Sequence, residues 1–307
     1  MRYIAEIIEK AVEKGRVVLA VAAAQEANVL EAVCEAYDKG IVQPILVGEP
    51  EAIKAAAREA RGGAGVDIAG FEVVPAADLA GAAATAVQLV KTGRADILMK
   101  GILDTSVLLK AVLNKEKGIN AGCLASHVAV MEVPTYHKLL VVTDAAINIA
   151  PDLPGFVDII GSAVRVSQSL GVEKPKVAFL AAVEKVNPDK MPCTVTASIL
   201  TQMNRRGQIR GCTVDGPLAL DNAVSRESAR IKHIDSEVAG DADILVAPDI
   251  EAGNILYKCL LDLAQAKGAA IVMGAEKPVV LTSRADSAET KLASIALASL
   301  VGRQGCN

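Results

Sequence analysis

The residues best suited to chemistry in this chain stand at the ends of short aliphatic runs. The stretch PVVLTSRADSAETK, residues 278–291, passes from a buried-strand pattern into Thr282, Ser283 and Arg284, and then into an Ala-rich helical segment. A helix N-terminus already carries positive dipole charge, so an arginine beside it is unfavourable unless an anion occupies the site. Other runs end in Lys100-Gly101, Thr143-Asp144, Asp215-Gly216, and Pro248-Asp249 followed by Glu251-Ala252-Gly253-Asn254. Lys100 and Gly101, with Thr105 and Ser106 at a predicted helix start, form a second candidate anion site. Cations, hydroxyls, amides and turn glycines together suit an anionic, carbonyl-bearing ligand. At any single position an ordinary turn or cap would explain the same residue types, so the weight rests on their sum.

The elements that must present these residues follow from periodicity. Aliphatic runs recur at 16–22, 42–48, 95–101, 138–144, 174–181, 207–216, 242–249, 269–274 and 278–284, and most are continuous rather than alternating. That is the pattern of strands covered on both faces by helices, an α/β chain with largely parallel sheet. Ligands bind such sheets beyond the carboxyl ends of the strands, where the polar residues above fall. Segments such as 28–39 and 78–92 read as helices stopped by Gly40 and Gly93. The glycine-rich stretch 61–70 fits neither dinucleotide nor P-loop spacing and reads as a connection. The segment MEVPTYHK, 131–138, and a second one at 274–278 interrupt the alternation and predict two domain crossings. The first domain then comprises 1–132 and 276–307, wrapped around an inserted domain of 133–275.

Composition excludes several classes. The net charge of −4, with no basic run and 2% aromatics, argues against a nucleic-acid partner. No apolar stretch is long enough to span a bilayer, and the first fifteen residues carry charges through their apolar positions, so the expectation is a soluble, cytoplasmic protein without a membrane partner. Six singly scattered cysteines predict reduced thiols and no structural disulfide. Cys123, His127 and His137 offer too few ligands for a metal centre, and none is expected.

The blocks LMKGILDTSVLLKAVLNKEKG, ASHVAVM, VTDAAINIAPD, VDGPLALDNAVS, APDIEAGNILYK and VLTSRADSAETKLASIALAS resemble the phosphate acetyl/butyryltransferases, the butyryl branch above all. The similarity runs from about residue 95 to the end of the chain. It implies two α/β domains with a cleft between them, in the architecture of the isocitrate and isopropylmalate dehydrogenases. It also implies a homo-oligomer with no permanently bound cofactor, using acyl-CoA and phosphate as substrates. The reaction implied is butanoyl-CoA plus phosphate giving butanoyl phosphate plus CoA, by direct transfer in a ternary complex. No G-x-S-x-G elbow is present, which disfavours an acyl-enzyme on serine.

Under that resemblance Ser283 is a hydroxyl donor to the thioester carbonyl or oxyanion, and Arg284 a forked donor to phosphoryl oxygens. Lys100, Gly101, Thr105, Ser106, Ser126, His127 and Asp144 are candidates for phosphate and acyl binding. Asp215, Gly253 and Asn254 are candidates for CoA. Asp286 and Glu289 have the spacing of an N-cap and its capping-box partner, and are expected to hold the loop rather than react. In related acetyltransferases a catalytic Asp lies seven residues after the serine, where this chain has Thr290. Glu289, Asp144 or the phosphate itself would then take the proton. The departure at Thr290 favours the butyryl over the acetyl branch. A noncatalytic acyl-CoA sensor, or a metal- and NAD-dependent 2-hydroxy acid dehydrogenase on the related fold, are the remaining alternatives.

Overall fold

The computed structural model describes residues 1–283 and 286–302. In chain order the elements are α1 (Ile4–Lys14), β1 (Val17–Ala22), α2 (Ala27–Asp38), β2 (Val42–Gly48), α3 (Pro50–Glu59), β3 (Glu72–Pro75), α4 (Leu79–Lys91), β4 (Ile97–Lys100) and α5 (Thr105–Val112). They continue as β5 (Ser126–Glu132), β6 (Leu140–Thr143), α6 (Leu153–Ser169), β7 (Lys176–Leu180), α7 (Cys193–Arg205), β8 (Thr213–Leu218), α8 (Leu220–Val224), α9 (Arg226–Ile231), β9 (Ile244–Val246) and α10 (Ile250–Lys258). The last are β10 (Lys267–Met273), β11 (Val279–Val280) and α11 (Ala288–Val301). No helix among the described residues is long and apolar enough to cross a membrane.

Two compact units result. Among the described residues the first is built from Ala5–Cys123 and 269–302, the second from Met1–Ile4 and Leu124–Gly268. The chain therefore crosses at 4/5, 123/124 and 268/269, where the sequence reading puts 132/133 and 275/276. The segment 131–138, expected as a crossing, instead holds the end of β5 and most of the loop of an antiparallel hairpin, with Met131 opposite Leu140 and Ala129 opposite Val142. A proline-containing turn interrupts a strand pattern whether it leaves a domain or reverses within one, and this one reverses.

In the first unit the strands lie in the order β3-β2-β1-β4-β11-β10, all parallel except β10. Small aliphatics make its core: Leu19, Ala20, Val21 and Ala22 of β1 are fully buried, as are Ala83 and Ala86 of α4. Residues 291–299 of α11 are all buried, so this helix is enclosed on every side rather than amphipathic. In the second unit the order is β5-β6-β9-β7-β8, with β6, β9, β7 and β8 parallel and β5 running against them. Phe156 of α6 meets Phe179 of β7 edge to face, with ring centroids 4.9 Å apart.

One cysteine departs from expectation. Cys34, Cys193, Cys212 and Cys259 are free, but Cys123 is disulfide-bonded. Spacing along a chain does not reveal which cysteines folding brings into bonding range. Burial pushes the Cys34 and Cys212 thiols up to about 11, so neither is a thiolate nucleophile at neutral pH.

Candidate functional site

In the first unit, parallel pairing lines up the carboxyl ends of three strands. Ala22 of β1 lies opposite Lys100 of β4, and Val280 of β11 lies opposite Met99. Lys100-Gly101 and Leu281-Thr282-Ser283 consequently leave the sheet side by side. Gly101 fits only because it has no side chain: its N–H donates to the Ala22 carbonyl at 2.8 Å, and a Cβ there would fall 2.0 Å from the Ala23 carbonyl oxygen. Lys100 is 5% exposed, and its ammonium donates to the Gly101 and Leu103 carbonyls at 3.1 and 3.2 Å. It fastens the turn leading into α5 and is not a solvated surface lysine. Thr105 and Ser106 open α5, whose N-cap Asp104 makes no side-chain capping bond.

Ser283 is exposed at the end of this edge, and its turn is tied three ways. The Ser283 N–H donates to Asp286 Oδ2 at 2.7 Å, and the Asp286 N–H donates back to the Ser283 carbonyl at 3.2 Å. Lys291 Nζ then donates to both the Ser283 and Asp286 carbonyls. The expected capping box is corrected here. The N-cap of α11 is Ser287, whose Oγ accepts the Thr290 N–H at 3.1 Å, so the helix begins one residue later than an Asp286 cap requires. Asp286 serves the turn before the helix, which frees it from capping and commits it to Ser283. Arg284 lies outside the described residues.

Lys291 escaped the sequence reading. Its signal is nonetheless present, because a lysine three and four residues before Ser294 and Ile295 stands on a stripe that is otherwise buried.

In the second unit the antiparallel strand decides the layout. Continuing the β5–β6 register brings Ser126 and His127, at the start of β5, beside Thr143 and Asp144 at the end of β6. Thr143 Oγ1 donates to the His127 carbonyl at 2.8 Å. Val246 of β9 pairs with Thr143 on the other side, so the residues following β9 reach the same edge. There α10 starts with Asp249 as N-cap, accepting the Ala252 N–H at 2.8 Å. Asn254 is therefore not a cap; its amide donates to the Ala145 carbonyl at 2.9 Å. Gly253 packs against Asp144, where a Cβ would lie 2.1 Å from the carbonyl oxygen. Ser126, His127, Asp144, Gly253 and Asn254 thus converge on one edge.

The chemistry of these groups differs. Asp144 is buried, and its carboxylate accepts from the Ala146, Ile147 and Asn148 N–H groups and from Asn148 Nδ2, the last at 2.6 Å. Four donors saturate it, so it organises the 144–148 turn and is poorly placed to take a proton from a substrate. His127 is buried with its ring edge to face with Tyr257, centroids 5.5 Å apart. Ser126 Oγ is buried and has no hydrogen-bond partner among the described residues, a state that sealed hydroxyls rarely keep without a ligand or water.

Asp215 does not join this edge. It pairs with Ala178 in the middle of β8, which runs on to Leu218, and its Oδ1 accepts the Gly216 N–H at 2.9 Å. It lines a cavity of about 640 Å³ with Lys174, Arg205, Arg210 and Asp235. The run 207–216 misplaced the strand, because its first six residues form the turn after α7 and the pairing begins at Thr213.

A family model described as Phosphate acetyl/butaryl transferase matches residues 76–299. The chain is 49% identical over 296 residues to a phosphate butyryltransferase of Clostridium acetobutylicum, covering 96% of this chain and 97% of that one. It is 45% identical over 302 residues to a phosphate acetyltransferase of Thermotoga maritima, covering 97% and 99%. Among solved structures, a branched-chain phosphotransacylase from Enterococcus faecalis V583 superposes with a TM-score of 0.80 at 37% identity, covering 94% and 100%. The family model and these likenesses together establish that the chain belongs to the phosphate acetyl/butyryltransferase family and is an acyl-transferring enzyme.

Proposed function

We propose that the enzyme transfers a butanoyl group reversibly between coenzyme A and inorganic phosphate, by direct attack and without a covalent acyl-enzyme. The observation carrying this reading is the Ser283 turn, which holds an exposed hydroxyl at the carboxyl end of β11 by bonds to Asp286 and Lys291. A phosphate oxygen attacks the thioester carbonyl, and Ser283 donates to the oxyanion that forms. Arg284 offers a planar fork to the phosphate oxygens. As the oxyanion collapses the C–S bond breaks, and the CoA thiolate leaves with a proton released by the phosphate. In reverse the thiol, with a pKa of about 8.5, must lose that proton before attack. Asp144 is saturated and Thr290 cannot serve as a base, which leaves Glu289 and the phosphate, and the phosphate brings its own proton to the point of attack.

The choice of butanoyl rests on the 49% likeness to the Clostridium acetobutylicum enzyme. Acetyl transfer is the second reading, supported by the 45% likeness to the Thermotoga maritima enzyme. Lys100, Gly101, Thr105, Ser106, Ser126 and His127 are assigned to phosphate and the acyl group, and Gly253 and Asn254 to CoA. The same family membership supports a homo-oligomer working in the cytoplasm.

The test is phosphate-dependent release of CoA from acetyl-, butanoyl- and isobutanoyl-CoA. Butanoyl-CoA is expected to give the highest kcat/KM, and a clear preference for acetyl-CoA would replace the assignment. Ser283→Ala and Arg284→Ala should each lower kcat on the order of a hundredfold. Turnover unchanged in both would remove Ser283 and Arg284 from the reaction.

A further inference from the structure

Lys291 is 1% exposed, the most enclosed charged side chain in the described core. Lysine is among the residue types least often buried. It also lies in the N-terminal part of α11, where the helix dipole disfavours a cation. Its two acceptors among the described residues are both neutral backbone carbonyls, Ser283 at 3.3 Å and Asp286 at 2.5 Å. A core selected for stability alone would gain from an apolar side chain of the same length at such a position. The bonds instead reach across to the residues on either side of 284 and 285, and one ends on the carbonyl of the residue assigned the oxyanion. The Asp286 carboxylate fixes the Ser283 N–H and the Lys291 ammonium fixes the Ser283 carbonyl, so both peptide groups of that residue are set.

We infer that Lys291 is a positioning residue for the acyl-transfer reaction, holding the Ser283 and Asp286 peptide groups in their working geometry through those two carbonyls. The inference rests on the reading of Ser283 as the oxyanion donor. A donor displaced by as little as an ångström loses most of its value to a transition state, while ground-state binding elsewhere is little affected.

Lys291→Met keeps the length and removes the donors; Lys291→Arg keeps the charge and donors. The expected result for Lys291→Met is a fall in kcat on the order of tenfold to a hundredfold. The KM for butanoyl-CoA should stay within about twofold, because uniform binding is untouched. The melting midpoint should be unchanged or raised, and Lys291→Arg should recover part of the lost kcat. In the Ser283→Ala background Lys291→Met should add little further loss, since the two act as one unit. Hydrogen exchange at residues 282–287 should quicken in Lys291→Met, with the rest of the chain unchanged. Full activity in Lys291→Met, or a loss that simply multiplies with that of Ser283→Ala, would overturn the inference. If the wild-type enzyme releases no CoA, the proposed reaction fails on its own account. The exchange comparison then still decides whether Lys291 holds the turn, and unaltered exchange there overturns it.

Discussion

The Asp286 carboxylate accepts the backbone N–H of Ser283 at 2.7 Å, three residues upstream and before the helix has begun. Its effect on chemistry therefore passes through the orientation of one serine. Asp286→Asn keeps an oxygen acceptor in place and should retain most of the wild-type kcat. Asp286→Ala loses it and should fall on the order of tenfold. Steady-state rates of phosphate-dependent CoA release compare the two, and equal losses would mean the charge, not the bond, matters.

The cap of α11 lies at Ser287, whose Oγ holds the Thr290 N–H. Ser287→Ala should cost about 1 kcal/mol of stability, the usual value of an N-cap. Urea denaturation measures it, and a midpoint unmoved from wild type would deny Ser287 that role.

Two glycines separate close approach from helical preference. A Cβ at Gly253 would sit 2.1 Å from the Asp144 carbonyl oxygen, whereas at Gly161, inside α6, it would meet nothing within 4 Å. Gly253→Ala should destabilise by about 1–3 kcal/mol and lower activity, since α10 must shift from the turn that Asp144 and Asn254 organise. Gly161→Ala should stabilise by about 0.5–1 kcal/mol. Paired melting curves and activity assays decide, and a silent Gly253→Ala would remove the close contact.

Acid stability should centre on Asp241. Burial works against its charge, but hydrogen bonds from Lys176 and Lys138, with His137 beside them, outweigh that and hold the carboxyl well below the ordinary carboxylate range. A depressed folded pKa contributes stability above the unfolded value of about 4 and loses it as pH falls further. The wild-type melting midpoint should therefore decline as pH drops below about 4. Asp241→Asn should start lower near neutrality and show a flatter acid limb. Parallel limbs would place the acid sensitivity elsewhere.

Much of the fold was legible because buried parallel strands write themselves as continuous aliphatic runs, and β1, β2, β4, β6, β7, β9 and β11 all fall within them, while β10 begins two residues before its run. The failures have physical causes. β5 was missed because its polar residues precede the apolar run instead of following it, which is how a reversed strand must read. The capping of α11 was misassigned by one residue because Asp286 with Glu289 and Ser287 with Thr290 satisfy the same spacing, and only geometry distinguishes them. Asp215 looked like a strand end because a glycine and a proline follow it, yet β8 continues through both. Lys291 was passed over despite its place on an apolar stripe, because a charge inside an Ala-rich helix reads as a solvated face and its acceptors lie on a loop that the pattern does not describe.

The reversed strand β5 makes a remote loop into a ruler. Ser126 and His127 reach the edge beside Thr143 only through the β5–β6 register, and residues 133–139 at the far end of the hairpin set that register. Side chains alternate along a strand, so lengthening the loop so that β5 slips by one residue against β6 would exchange the faces that Ser126 and His127 present. The number of residues in that turn would then be constrained together with the candidate site, beside the identities of Tyr136, His137 and Lys138, which bond Ala242, Asp241 and Asp243.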